Sequence, residues 1–157
     1  MKVRLITVGK TAEQYIRTGL ELYAGRIRHY LPFEMVEIPD IRQASSLSCN
    51  QIKQKEGENI LKSVRPNEYV VLLDERGTSF SSVEWARDLE QKATHLSKDM
   101  VFVVGGPYGF SDEVYARADG MLSLSRMTFS HQIVRLLFIE QLYRALTIIK
   151  GEPYHHE

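Results

Sequence analysis

The side chains best suited to chemistry in this chain stand near its end. The last seven residues, Gly151-Glu-Pro-Tyr-His-His-Glu157, bring a phenol, two of the five histidines and a carboxylate together directly after a long apolar segment. Chain ends are ordinarily solvated and mobile. Imidazoles that exchange protons near neutral pH therefore ask for a use there. A second group opens the same apolar segment: His131 and Arg135, one helical turn apart, pair a proton acceptor with a guanidinium able to stabilise an anion or hold a phosphate. The third is "VVGGPYGFSDEV" (Val103–Val114), an apolar run that turns through Gly105, Gly106, Pro107 and Gly109 into a capped helix. Glycines there allow a close backbone approach to a ligand, and proline stiffens the turn. A plain strand-to-helix turn has the same pattern, so the loop alone does not decide for a ligand.

Several familiar chemistries are excluded. "VGKT" (Val8–Thr11) ends like a phosphate-binding loop, but Arg4 stands where that motif needs its first glycine. Gly9 stands alone after the first apolar run, so no dinucleotide fingerprint is present. There is no GxSxG elbow and no HExxH helix. His155 and His156 are adjacent and diverge, and Cys49 is the single cysteine, so neither a metal site nor a disulfide is expected. Twenty basic residues balance twenty acidic ones, which argues against indiscriminate binding of polyanions but leaves room for a local basic patch. No segment has the length and apolarity of a signal peptide or membrane span, so a cytoplasmic protein is expected, without a membrane partner.

These groups must be positioned by a scaffold, and 157 residues of ordinary apolar content favour one domain over residues 1–157. "VRLITVG" (Val3–Gly9) reads as a strand, and Ile16, Leu20, Tyr23 and Ile27 recur at helical spacing. "FEMVEIP" (Phe33–Pro39) alternates and stops at proline, the pattern of a strand near a sheet edge. A very polar helix spans about Ser48 to Val64, with Ile52, Ile60 and Leu61 to bury. "YVVLLDE" (Tyr69–Glu75) and "MVFVVGG" (Met100–Gly106) are continuous apolar runs, as expected of parallel strands covered on both faces. Between them Ser81 and Glu84 form a capping box, and Ser111 opens a short helix. "GMLSLSRM" (Gly120–Met127) reads as a short strand or loop, followed by a helix from about His131 to Lys150. This alternation predicts an α/β fold: a mainly parallel sheet with helices on both faces.

In such folds ligands bind outside the carboxyl ends of the strands. "LLDERG" (Leu72–Gly77), the glycine loop and "LSLSRMTFSH" (Leu122–His131) end three elements of the sheet and could converge on one crevice. Backbone amides, small hydroxyls and apolar side chains would line it, which suits adenine, ribose and a thioether better than a triphosphate. The last helix is apolar nearly all round, with Glu140, Arg144 and Thr147 as its polar wedge. That pattern points to burial against a second subunit as well as the core. Arg135 then reads either as a partly solvated interface arginine or as part of a site at the subunit boundary.

Taken together, "KVRLITVGK", "KEGENIL", "LDERG", "VGGPYGF", "LSLSRMTFSHQIVRLLFIEQLYRA" and the terminal "PYH" resemble the RlmH family of SPOUT-class methyltransferases over the whole chain. The resemblance implies an α/β knot, with the C-terminal segment threaded through a loop. It implies a homodimer that binds S-adenosylmethionine, with contacts falling on Leu73, Gly105 and the run Leu124, Ser125, Arg126, Met127, Thr128 and Phe129. The implied reaction is methyl transfer to N3 of pseudouridine 1915 in helix 69 of 23S rRNA, on assembled ribosomes. Because N3 must lose its proton, a base or a route to water is needed. His131, Tyr154 and His155 are the candidates, with Arg135 as anion stabiliser, and the sequence does not rank them. The tail then reads as part of the acceptor site, within its own subunit or across the dimer.

Two positions depart from the family pattern. Ser130 replaces a proline before His131, and as a good helix cap it should preserve the local geometry. His156 replaces a basic residue, weakening any contact with rRNA phosphate. A ribosome-binding dimer without catalysis is disfavoured by the intact glycines and tail. A nicotinamide or flavin enzyme is disfavoured by the missing fingerprint.

Overall fold

The computed structural model describes residues 1–156; Glu157, the last residue of the tail, lies outside the described residues. Five strands form one parallel sheet: β1 (Val3–Val8), β2 (Phe33–Ile38), β3 (Tyr69–Ser79), β4 (Met100–Val104) and β5 (Gly120–Ser123), in the order β2-β1-β4-β3-β5. The helices between them are α1 (Gln14–Ile27), α2 (Cys49–Ser63), α3 (Ser82–His95) and α4 (Asp112–Arg117), and α5 (Ile133–Ile149) follows β5. β2 lies at an edge, as its alternation and its proline stop required, while every residue of β1 and β4 is buried.

Two cores flank the sheet. On one face α1, α3 and α5 cover Val3, Leu5, Val71, Met100 and Phe102, with Trp85, Phe102 and Phe138 meeting ring to ring. On the other, Ile60 of α2 and Val114 of α4 cover Ile6, Val70, Leu72, Val101 and Val103. Ser48 and Ser81 each open a helix with a reciprocal capping box.

Three expectations change. The Tyr69–Glu75 strand runs on to Ser79, because its pairing with β5 skips from Leu73 to Thr78 while both pair with Leu122. Asp74–Gly77 are extruded at that point, so the strand does not simply end there. A Cβ on Gly77 would stand 2.6 Å from the Met121 carbonyl carbon and 2.7 Å from Leu122 N, a backbone crossing that glycine permits. Second, α5 is sandwiched between α1 and α3 of its own chain, which accounts for much of the apolar surface that suggested a second subunit. Third, Thr147 is fully buried and donates to the Arg144 carbonyl at 2.7 Å, so it is not part of a solvated wedge.

Candidate functional site

The extruded turn within β3 and the carboxyl ends of β4 and β5 open into a cleft of about 620 Å³. Its walls come from the three predicted segments: Leu73–Arg76, Val104–Phe110 and Leu122–His131, closed by Tyr115 and Val134. Of the expected cofactor contacts, Leu73, Gly105, Leu124, Ser125, Met127, Thr128 and Phe129 line it, and Arg126 does not. Arg126 is exposed at the outer side of a loop whose form is set by serines. Ser123 Oγ donates to the Ser125 carbonyl at 3.0 Å, and Ser125 Oγ accepts from Met127 N at 2.9 Å. At the loop's end Ser130 Oγ accepts the Ile133 amide at 3.1 Å, the cap expected in place of proline. Met127 is 75% exposed and Phe129 39%, leaving two large apolar side chains uncovered at the mouth.

The charged rim comes from the extruded turn of β3. Asp74 accepts from the Tyr115 hydroxyl at 2.5 Å and from Arg76 N at 2.9 Å, and the Arg76 guanidinium lies 4.8 Å from the centre of the Tyr115 ring. Burial alone would raise the Asp74 carboxyl, but the hydrogen bonds from Tyr115 and Arg76 outweigh it and hold the group below its ordinary range. A fixed carboxylate thus faces a cleft otherwise built from backbone, hydroxyls and apolar groups. Composition pointed to the segment but not to Tyr115, whose part is visible only once α4 is folded beside β3.

His131 is the one member of the expected catalytic set that lines the cleft. Arg135 is fully buried, so it is not the partly solvated interface arginine of the first reading. Its guanidinium donates to the Val8 carbonyl at 2.8 Å, the Gly9 carbonyl at 2.9 Å, Thr11 Oγ1 at 2.8 Å and the His131 carbonyl at 3.0 Å. Four of its five N–H groups are spent on joining the end of β1 to the start of α5. Glu37 stands 3.5 Å away as counter-charge. Burial would raise Glu37 too, but hydrogen bonds from Thr11 and the Arg135 charge keep it low.

The tail is folded against the far part of α5. Tyr154 donates to Glu140 Oε1 at 3.1 Å, His155 Nδ1 lies 3.2 Å from Arg144 Nη1, and the Arg144 guanidinium stacks 4.8 Å from the Tyr154 ring centre. Arginine only donates, so His155 Nδ1 accepts and its proton sits on Nε2. Burial, the Tyr23 hydroxyl and the Glu140 carboxylate all push the Tyr154 phenol up, which makes it a hydrogen-bond donor rather than a base. Glu140 and Arg144, which the sequence showed only as part of a polar wedge, are therefore the anchor of the tail. Glu140 is six residues from Val134, about 9 Å along the helix at the usual rise. Neither Tyr154 nor His155 lines the cleft of its own chain.

Among the described residues no group of three or more His, Cys, Asp or Glu is placed to hold a metal ion, and no helix is long and apolar enough to cross a membrane.

A family model described as "Predicted SPOUT methyltransferase" matches residues 1–155. The chain is 54% identical over 157 residues to the ribosomal RNA large subunit methyltransferase H of Parabacteroides distasonis, covering all of both chains. It is 50% identical to the protein of that name from Bacteroides fragilis, again over the full length of both. With that of Christiangramia forsetii it shares 50% over 156 residues, 99% of each chain. A solved structure of a probable methylase family protein from Haemophilus influenzae superposes with a TM-score of 0.56 at 13% identity, covering 99% of this chain and 70% of that one. That last likeness supports the α/β fold.

Proposed function

Starting from the fact that this chain belongs to the SPOUT methyltransferase family, we propose that it methylates large-subunit ribosomal RNA, using S-adenosylmethionine, at N3 of pseudouridine 1915 in helix 69 of assembled ribosomes. One catalytic domain of residues 1–157 working as a cytoplasmic homodimer completes the reading. The observation that carries it is the cleft between the extruded turn of β3 and the ends of β4 and β5. Its volume is in the range of small-molecule sites, and its walls are apolar with a few convergent polar groups. The relatives named as ribosomal RNA large subunit methyltransferase H give the substrate class.

The residues present fit the cofactor. Leu73, Leu124 and Val134 offer apolar surface, the turn from Gly105 to Gly109 offers close backbone approach, and Ser125 and Thr128 offer hydroxyls. Asp74 supplies a fixed negative charge of the kind an ammonium or sulfonium requires. Arg126 completes the cofactor segment through its backbone. S-adenosylmethionine supplies, when bound, a methyl group already activated by its sulfonium. The chain's own task is then to align an acceptor nitrogen in line with that carbon and to take its proton. His131, on the cleft wall with its carbonyl pinned by Arg135, is the base in this account, and Arg135 positions it.

The tail acts across the dimer, where His155 presents its Nε2–H to the acceptor nucleotide while the Tyr154 hydroxyl, donated to Glu140, holds the tail in place. Its anchorage on Glu140 and Arg144, away from the cleft of the same chain, supports this arrangement, as do the uncovered Met127, Phe129 and Leu137. The threading of the C-terminal segment through a loop belongs to the same proposal, and the tight crossing of Gly77 over β5 supports it. Titration of the protein with S-adenosylhomocysteine tests the cofactor assignment: saturable binding with one site per chain is expected, weakened by Leu73→Arg. Absence of binding would refute it.

A further inference from the structure

Behind the glycine turn, on the side away from the cleft, lies a carboxyl group for which nothing above accounts. Glu56 belongs to the polar helix α2, whose other acid, Glu58, is exposed, yet Glu56 itself is 5% exposed. Its Oε1 is enclosed and has no hydrogen-bond partner. Both carboxyl oxygens point at Gly106: a Cβ there would stand 2.6 Å from Oε1 and 2.7 Å from Oε2. The next residue, Gly57, is as tightly placed, with Ser111 Oγ 2.2 Å from where its Cβ would be. Side chain and turn are therefore built to each other's shape, with α2 pressed against the turn and against the start of α4.

No ion pair holds a carboxylate in this place among the described residues, and its Oε1 has no hydrogen-bond partner. The charged and titratable groups on the surrounding elements are Asp40 after β2, Lys53 one turn earlier on α2, Tyr108 in the glycine turn, and Asp112 and Glu113 in the first turn of α4. None bonds to Oε1. Burial first, and the like charge of Asp40 second, both push the Glu56 carboxyl up. A neutral acid leaves no unpaired charge buried there and gains an O–H that a carboxylate lacks.

We propose that Glu56 is a positioning residue, whose side chain, enclosed and pressed against Gly106, sets the seat of the Gly105–Gly109 turn and thereby the affinity for the cofactor. This rests on the cofactor assignment under Proposed function. The neutral form is complete at low pH and is lost as pH rises through the raised value. Ionised, the carboxyl draws toward water and away from Asp40, and the turn loses its support. Cofactor affinity therefore falls with rising pH.

The test combines calorimetric titration with S-adenosylhomocysteine and hydrogen exchange of the amides of residues 105–110 in the free protein. The variants are Glu56→Gln, Glu56→Ala, Gly106→Ala and the Gly106→Ala/Glu56→Ala double mutant. The wild type should bind more weakly at the alkaline end of the titration than at the acid end, the direction that the raised carboxyl sets. Glu56→Gln, which mimics the neutral acid, should bind as the wild type does at the acid end and stay flat. Glu56→Ala should bind weakly at every pH, with faster exchange confined to the turn. Gly106→Ala should also bind weakly, and adding Glu56→Ala should restore part of its binding, because the carboxyl that the new methyl meets is gone. An equal pH slope in wild type and Glu56→Gln overturns the proposal. So does unchanged binding and exchange in Glu56→Ala. If no protein binds the ligand, the cofactor assignment fails, and exchange in the turn still decides whether Glu56 seats it.

Discussion

Arg135→Met separates a guanidinium used by the fold from one used by the reaction. The substitution keeps most of the side-chain volume and leaves the carbonyls of Val8, Gly9 and His131 and the hydroxyl of Thr11 without their donor. Each orphaned buried acceptor costs about 1–3 kcal/mol, less whatever relaxation and water recover. Breaking a buried charge-paired cluster by removing one partner typically costs about 3–5 kcal/mol in total. That is a large fraction of the roughly 5–15 kcal/mol by which domains are stable. For a chain of this length it corresponds to a fall in Tm of about 10 °C. Arg135→Lys should recover only part of the loss, since an ammonium lacks the planar fork that reaches four acceptors. Urea unfolding followed by the fluorescence of Trp85, alongside methylation assays well below the midpoint, gives both quantities. The structure predicts a large drop in stability, with activity falling as the start of α5 loosens. A variant within about 1 kcal/mol of the wild type that has lost all turnover would refute this reasoning, because the guanidinium would then serve chemistry and not the joint.

Other outcomes follow from the same geometry. Gly77→Ala drives a methyl into the Met121–Leu122 backbone, which cannot yield as a side-chain tip can, so thermal unfolding should show a loss of at least about 2 kcal/mol. Asp74→Asn should cost about 1–2 kcal/mol at neutral pH. Because the folded Asp74 sits below the ordinary 3.8, its contribution is present above that value and disappears as pH falls through the lower folded one, so wild type and variant should converge in acid unfolding curves. Ser130→Ala removes the acceptor of the Ile133 amide and should cost about 1 kcal/mol. Mixing a cleft variant, Leu73→Arg, with a tail variant, His155→Ala, each inactive alone, should restore roughly a quarter of wild-type turnover if one chain's tail serves the other's cleft. No recovery after verified subunit exchange would place the tail in its own subunit.

The fold was legible where burial writes a simple pattern. Val3–Val8 and Met100–Val104 are apolar throughout because helices cover both faces, and the sequence shows that as unbroken runs. The glycine loop of the cleft was legible for the same reason, since β4 ends where its apolar run ends, whereas β3 continues past its own apolar run to Ser79. Partnership over long sequence distances was not. Arg135 looks like a surface cation in any local window, and only the return of α5 to the end of β1, more than 120 residues away, supplies the carbonyls that bury it. Glu56 sits in the most polar helix of the chain, on the buried stripe of Ile52 and Ile60, where an acid at an apolar position reads as a gap in the pattern and not as a buried group. The extruded turn at Asp74–Gly77 is written in the sequence as a glycine, but what crosses it is β5. The all-round apolarity of α5 was read correctly as burial, and α1 and α3 of the same chain account for two of its sides.

The central claim meets its most direct test in one labelling experiment. Purified protein, radiolabelled S-adenosylmethionine and ribosomes that lack the modification are incubated together, and the label is mapped in the rRNA. The account predicts label on N3 of pseudouridine 1915 in helix 69 and nowhere else. Label at another nucleotide, or none from a protein that binds the cofactor, would contradict it.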